Sequence, residues 1–208
     1  MIHAEVFLLP PAGKGRKYTI DHGKLIMVKA KQVLDAKSIQ SIVTRLSHEI
    51  VEKNHNSTEL TLIGIQTRGG PLAKRIQALI HKHSGVEVSL GLVDITFHRD
   101  DFRDRLVVPQ VKGTDLPDSI DDRIVILVDD VLYTGRTVRA AIEVLLSYGR
   151  PGEIQLGVLV DRGHREMPIK ADFVGKNIPT QDGEHVEVLL KEVDGKDSAE
   201  LRSYERDS

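Results

Sequence analysis

Ile124-Val125-Ile126-Leu127-Val128-Asp129-Asp130-Val131-Leu132-Tyr133-Thr134-Gly135-Arg136-Thr137 sets both the architecture and the chemistry of this chain. Ile124 to Val128 form a short, continuous, mostly β-branched apolar run, as a strand needs when both its faces are covered. Asp129 and Asp130 follow where that strand should end. Thr134, Gly135, Arg136 and Thr137 then supply hydroxyls, a glycine and a cation just before a helical pattern begins. Acid pair, hydroxyl-rich turn and helix N-terminus together describe a site for a phosphorylated sugar. The carboxylates accept hydrogen bonds from ribose hydroxyls, while backbone N–H groups and the helix dipole hold a phosphate dianion. An isolated Asp-Asp is more often a cap in a βα loop; the residues on both sides of this one turn the balance.

Working outward, Asp35 is placed to cap a helix over 36–54, with Ile39, Ile42, Val43, Leu46, Ile50 and Val51 on one stripe. Residues 60–66 read as a strand, 71–82 as a helix with Pro71 in its first turn, and 86–96 as the next strand. Residues 97–122 are polar and charged, with Pro109, Gly113 and Pro117, and form a loop long enough to be either unstructured or a functional lid. A helix over 136–147 is stopped by Gly149 and Pro151, and 154–161 is another strand. This alternation predicts an α/β domain of parallel strands joined by right-handed crossovers. Residues 1–29 are set apart as an extension without an assigned role, with Met27 available as an alternative start; the main domain spans 30–208.

The 208-residue length suits one well-buried domain, and 40% apolar with 29% charged residues is ordinary for a soluble globular chain. No window approaches the ~18 apolar residues of a membrane span. The absence of cysteine excludes disulfides, thiolate catalysis and Cys-based zinc sites, and fits a cytoplasmic protein. A net charge of −2 means that nucleic acid could be bound only through a local patch.

In a parallel α/β sheet, ligands sit beyond the carboxyl ends of the strands. Loops 66–70, 96–103, 129–137 and 161–165 all belong to that edge and are expected to line one pocket. Taken alone, Thr67-Arg68-Gly69-Gly70 reads equally well as a simple turn, and Phe97-His98-Arg99-Asp100-Asp101 as a solvated charged face.

The 128–137 segment resembles the phosphoribosyl pyrophosphate (PRPP) motif of type I phosphoribosyltransferases. Most closely it resembles the form carried by bacterial regulators of pyrimidine operons that double as uracil phosphoribosyltransferases. The similarity continues in Gly-Ile-Gln-Thr-Arg-Gly (64–69), Asp-Ile-Thr-Phe-His-Arg-Asp-Asp (94–101) and the block 160–180, and covers roughly residues 30 to 205. It implies the type I phosphoribosyltransferase fold: a central, mainly parallel sheet flanked by helices, a small hood (about 161–185) and a flexible lid (about 97–122). The implied reaction makes UMP and pyrophosphate from uracil and PRPP. Mg²⁺ is then held through PRPP oxygens, with Asp129 and Asp130 on the ribose hydroxyls and reaching the metal through water.

By the same resemblance, Val131, Leu132, Tyr133, Thr134, Gly135, Arg136 and Thr137 hold the nucleotide phosphate. Thr67, Arg68 and Gly69 bind pyrophosphate, in a loop that in this family often contains a non-proline cis peptide. Arg99 reaches the departing pyrophosphate from the lid, which closes to exclude water. Asp161, Phe173, Val174 and Ile178 surround the base, although residue type alone assigns Phe173 and Val174 equally to core packing. Purine-using relatives carry an aspartate where this chain has Tyr133, which tilts the reading toward a pyrimidine.

The regulators in this family bind leader mRNA more tightly when a uridine nucleotide (UMP or UTP) is present, and assemble as dimers or tetramers. The matching positions are Thr44, Arg45, His48, His164, Arg165, Lys170 and Lys176. Charge count gives this surface little support: helix 36–54 mixes Lys37, Arg45 and Lys53 with Glu49 and Glu52. With only four Tyr and four Phe in the chain, a base-stacking platform is not expected. Enzyme without regulator, a non-catalytic RNA-binding nucleotide sensor, and a purine-using enzyme of the same fold therefore stand as alternatives.

Overall fold

The apolar runs become adjacent parallel strands. In the computed structural model, residues 17–21, 24–55, 59–95 and 113–206 are described. The elements are β1 (Lys17–Asp21), β2 (Lys24–Leu34), α1 (Ala36–Lys53), β3 (Leu60–Ile65), α2 (Gly69–Ser84) and β4 (Ser89–Val93). They continue with β5 (Ile124–Leu132), α3 (Arg136–Tyr148), β6 (Glu153–Asp161), β7 (Phe173–Asn177), β8 (Glu184–Leu189), α4 (Lys191–Asp194) and β9 (Ser198–Arg206).

A five-stranded sheet runs β4-β3-β5-β6-β7, with every neighbouring pair parallel. β3 and β5 occupy its middle, and their apolar residues are almost wholly buried because helices cover both faces. On one face α1 and α2 insert Ile39, Val43, Leu46, Ile50, Leu72, Ile76 and Ile80 against Leu62, Ile126 and Val128. On the other, α3 packs Val138, Ala141, Val144 and Leu145 against Ile63, Val125, Leu127 and Val158. Each fully buried aliphatic side chain contributes roughly 1.5–3 kcal/mol. Asp35 caps α1 as expected, accepting from the Ser38 N–H at 2.8 Å. That bond holds the Asp35 carboxyl below the ordinary carboxylate range.

A second, antiparallel sheet of order β1-β2-β9-β8 was not foreseen from the sequence. Its inward residues Val186, Val188 and Ala199 bury in the same cluster as α1 and α2. The boundary drawn between residues 29 and 30 falls inside β2, which pairs with β9 from Ile26 to Leu34.

Three expectations need adjusting. β5 does not end at Asp129, within the acid pair, but continues to Leu132. The stretch assigned to the hood is divided: 173–177 is the edge strand of the parallel sheet, and 184–189 belongs to the antiparallel one. Of the stretch assigned to the lid, 113–122 is docked: Leu92 and Asp115 exchange backbone hydrogen bonds, Gln66 Nε2 donates to the Gly113 carbonyl, and Ile120 is buried in the core. Arg99 lies outside the described residues.

Candidate active site

The carboxyl ends of β3, β5 and β6 bring three of the four expected loops to one edge. The register sets Asp129 level with Val158 and Leu132 level with Asp161. Asp129 is only 6% exposed, and its Oδ1 accepts the Asp130 N–H at 2.9 Å. Burial pushes the Asp130 carboxyl above its ordinary range; the hydrogen bond from Asp129 and the charge of Arg68 pull the other way and do not prevail.

The turn between β3 and α2 abuts this acid pair. A methyl group on Gly69 would lie 2.2 Å from the Val128 carbonyl oxygen and 3.4 Å from the Asp129 Cα, so only glycine permits this approach. The Gln66–Thr67 peptide bond is cis, as the resemblance implied. The Arg68 guanidinium pairs side-on with Asp194 of α4, Nε to Oδ2 at 3.0 Å and Nη2 to Oδ1 at 2.8 Å. Next to this turn opens a cleft of about 290 Å³ lined by Gln66, Thr67, Gly70, Pro71, Lys74, Leu92, Glu192 and Val193. Lys74 and Glu192 were not singled out from sequence; Lys74 could have been, because it lies one helical turn beyond Gly70.

At the end of β5, Tyr133, Thr134 and Gly135 make the turn into α3. Gly135 adopts φ 93°, ψ −5° and has no side chain to cap the helix; the Thr134 hydroxyl oxygen accepts the Arg136 N–H at 3.4 Å, and the N-terminal end of the helix lies at this edge. The 163–169 segment lies against this turn. Thr134 O accepts from the Glu166 and Met167 N–H groups, and Arg136 Nε pairs with Glu166 at 2.6 Å. Leu132 is buried at 1% exposure and Val131 packs on the core, so only their backbone groups can reach a ligand.

The residues expected around the base are not gathered on one face. Successive strand residues point to opposite faces, and Phe173 turns into the α1 face of the core, while Val174 packs into the cluster on the α3 face. Ile178 packs against the α1 side, and its N–H donates to the Asp161 carbonyl. The Asp161 carboxylate is engaged by Arg165 Nη2 at 2.5 Å and by the Gly163 N–H at 2.9 Å, so it shapes its own loop. At this edge stands Tyr133, 41% exposed, with the Arg162 guanidinium 3.7 Å from its ring centre and His164 edge-on at 6.3 Å.

The expected RNA-facing positions divide into two groups. Thr44, Arg45 and His48 lie on α1, where Arg45 Nη2 donates to the carbonyls of Val174 and Gly175 on β7, the strand that also carries Lys176. His48 stacks on His83 of α2 with ring centres 3.9 Å apart. His164, Arg165 and Lys170 belong to the loop beside Tyr133, and Arg165 is folded inward onto Asp161 and the carbonyls of Tyr133 and Ile169.

Parallel sheet, acid pair, threonine-glycine turn and adjoining glycine loop define a phosphoribosyltransferase domain. The family described as "Phosphoribosyl transferase domain" matches residues 29–192, and the chain belongs to it. Within that class the chain is similar to proteins named "Bifunctional protein PyrR". The one from Clostridioides difficile is 52% identical over 176 residues, covering 85% of this chain and 99% of the relative. The one from Oceanobacillus iheyensis is 54% identical over 183 residues, covering 86% and 100%. Solved hypoxanthine phosphoribosyltransferases share the fold. The Trypanosoma cruzi enzyme aligns with TM-score 0.65 at 17% identity, over 84% of this chain and 97% of that one. A Staphylococcus aureus enzyme aligns with TM-score 0.57 at 23% identity, over 75% and 80%.

Proposed function

We propose that this chain transfers the 5-phosphoribosyl group of PRPP to N1 of uracil, making UMP and pyrophosphate, and that it also binds pyrimidine leader mRNA. What carries the enzymatic reading is the contact of Gly69 with the Val128–Asp129 backbone, which sets a pyrophosphate-type loop directly against a ribose-type acid pair. Support for the regulatory half comes from the PyrR relatives, matched over almost their whole length.

In this reading the bond from C1′ to the pyrophosphate oxygen breaks with its electron pair leaving on pyrophosphate. N1 of uracil supplies the new bond and loses its proton to solvent. Asp129 and Asp130 orient the ribose through its hydroxyls, the 133–137 turn anchors the 5′-phosphate, and Thr67, Arg68 and Gly69 stabilise charge on the leaving group. Mg²⁺ fits this donor set. Two adjacent carboxylates suit a cation that takes its remaining ligands from substrate oxygens and water, and the described residues contain no group of three or more His, Asp or Glu that would cage it alone. When bound, the ion neutralises phosphate charge. Tyr133, flanked by Arg162 and His164, offers no carboxylate for a purine N7, which favours a pyrimidine.

Incubation with PRPP, Mg²⁺ and each nucleobase in turn tests the enzyme. UMP formation is expected, abolished by Asp129→Asn with Asp130→Asn in a protein that still melts cooperatively. IMP, GMP or AMP formation without UMP would reject the pyrimidine assignment. For the regulatory half, filter binding of the chain's own leader transcript should strengthen with UMP and weaken in Arg45→Ala; equal retention of an unrelated transcript would remove it.

A further inference from the structure

The 191–197 turn of α4 and its neighbours is held onto α2 by two arginines that have different jobs. Arg75 grips it twice: Nε and Nη2 pair with Glu192 at 2.8 and 2.5 Å, and Nη1 and Nη2 with Asp197 at 2.9 and 2.8 Å. Asp197 also accepts the Lys191 N–H at 2.8 Å. That double clamp ties the turn to α2 through contacts separate from those of Arg68. The Arg68–Asp194 pair is therefore available for another role.

Arg68 sits at the start of α2, in the turn that touches the acid strand, and it lies close enough to Asp130 for each charge to bias the other. A long guanidinium side chain at such a position samples many rotamers unless something fixes it. Asp194 supplies that fixing. Its Oδ2 accepts Arg68 Nε at 3.0 Å and the Leu190 N–H at 2.8 Å, so the carboxylate is itself anchored in the backbone at the start of α4. The side-on pairing uses Nε–H and one N–H of Nη2. One N–H of Nη1 and the second of Nη2 remain as the adjoining end-on edge.

We propose that Asp194 is a positioning residue for phosphoribosyl transfer. It holds the Arg68 guanidinium side-on from α4, so that the guanidinium's remaining edge is presented, pre-oriented, to the pyrophosphate group. This inference rests on the reading of 67–69 as the pyrophosphate loop. The competing picture is a latch, in which the carboxylate occupies Arg68 and must be displaced before pyrophosphate can bind.

The full-length chain and its Asp194→Asn, Asp194→Ala and Asp197→Asn variants separate these pictures, through steady-state kinetics and direct calorimetric titration with pyrophosphate and Mg²⁺. Losing a charge-assisted bidentate pair should weaken pyrophosphate binding and raise KM for PRPP by roughly ten- to hundredfold in both Asp194 variants. KM for uracil should change by less than about threefold, because the base contacts are elsewhere. Asp197→Asn, which loosens the same turn through Arg75 and the Lys191 N–H but leaves the Arg68–Asp194 pair intact, should leave pyrophosphate affinity near the parent value. Tighter pyrophosphate binding in the Asp194 variants would establish the latch and overturn the proposal. An equal loss in Asp197→Asn would reduce Asp194 to a structural role, and thermal melts identify a variant that fails to fold, in which case the second Asp194 variant decides. If the parent chain itself makes no UMP, the functional reading fails and takes this inference with it, an outcome distinct because it is seen before any substitution.

Discussion

Replacing Gly69 by alanine tests the closest contact in the site. The added methyl would sit 2.2 Å from the Val128 carbonyl oxygen, 3.2 Å from its carbon and 3.4 Å from the Asp129 Cα, all backbone atoms that cannot rotate away. Restoring an ordinary carbon–oxygen separation requires the turn and β5 to part by roughly 1 Å. Overpacking of this kind costs about 1–3 kcal/mol. For a domain of this size that corresponds to a melting temperature lower by about 2–12 °C. The kinetic effect should be larger in proportion, because a ~1 Å misplacement of reacting groups can cost about 10²-fold in rate. Calorimetry and steady-state UMP synthesis would be run on parent and G69A together. A variant that melts within a degree of the parent and turns over at more than half its rate would refute the claim that this contact sets loop against acid pair.

Two further outcomes concern pH. Burial raises the Asp130 carboxyl, and its ionised form is the stronger acceptor for ribose hydroxyls, so the acid limb of kcat/KM should fall at a pH above the ordinary carboxylate value of about 3.9; a profile unchanged in Asp130→Asn would remove the residue from that limb. In contrast, Arg75 holds Glu192 and Asp197 below their ordinary range, Arg68 does the same for Asp194, and Lys196 for Glu200. Depressed carboxyls contribute stability that is present above their unfolded pKa values, about 4, and is lost as pH falls through the folded ones. Unfolding free energy should therefore decline steeply below about pH 4.5, and less steeply in Arg75→Gln; parallel curves for the two proteins would count against the ion pairs as the cause.

The parallel sheet was readable because strands covered on both faces must be apolar throughout. Ile124–Val128 and Leu60–Ile65 announce themselves, and the stripe on 36–54 could face only such a sheet. The acid pair misled about where β5 ends, because charge normally marks a strand terminus; here the strand's own carboxyl end is the site, and Asp129 and Asp130 are strand residues. The antiparallel sheet was missed for the opposite reason. His185-Val186-Glu187-Val188 alternates polar and apolar, and its two inward valines are too short a signal to separate from a loop. Phe173 shows the limit of residue type. An aromatic near a site reads equally as ligand contact or core, and only the pleat decided that it faces α1. The tie between Arg68 and Asp194 joins residues 126 positions apart, a separation at which no local pattern operates.

The antiparallel pairing of β2 with β9 gives the chain a timetable. β2 leaves the ribosome early, but the strand that satisfies one of its edges emerges only after nearly the whole domain has been synthesised. At ordinary elongation rates that delay is on the order of 10–30 s, during which α1 and the parallel strands can assemble while β2 still exposes unpaired N–H and C=O groups. Its partner closes that edge last, so a ribosome stalled in the final turn would carry an almost finished enzyme with an open, adhesive seam.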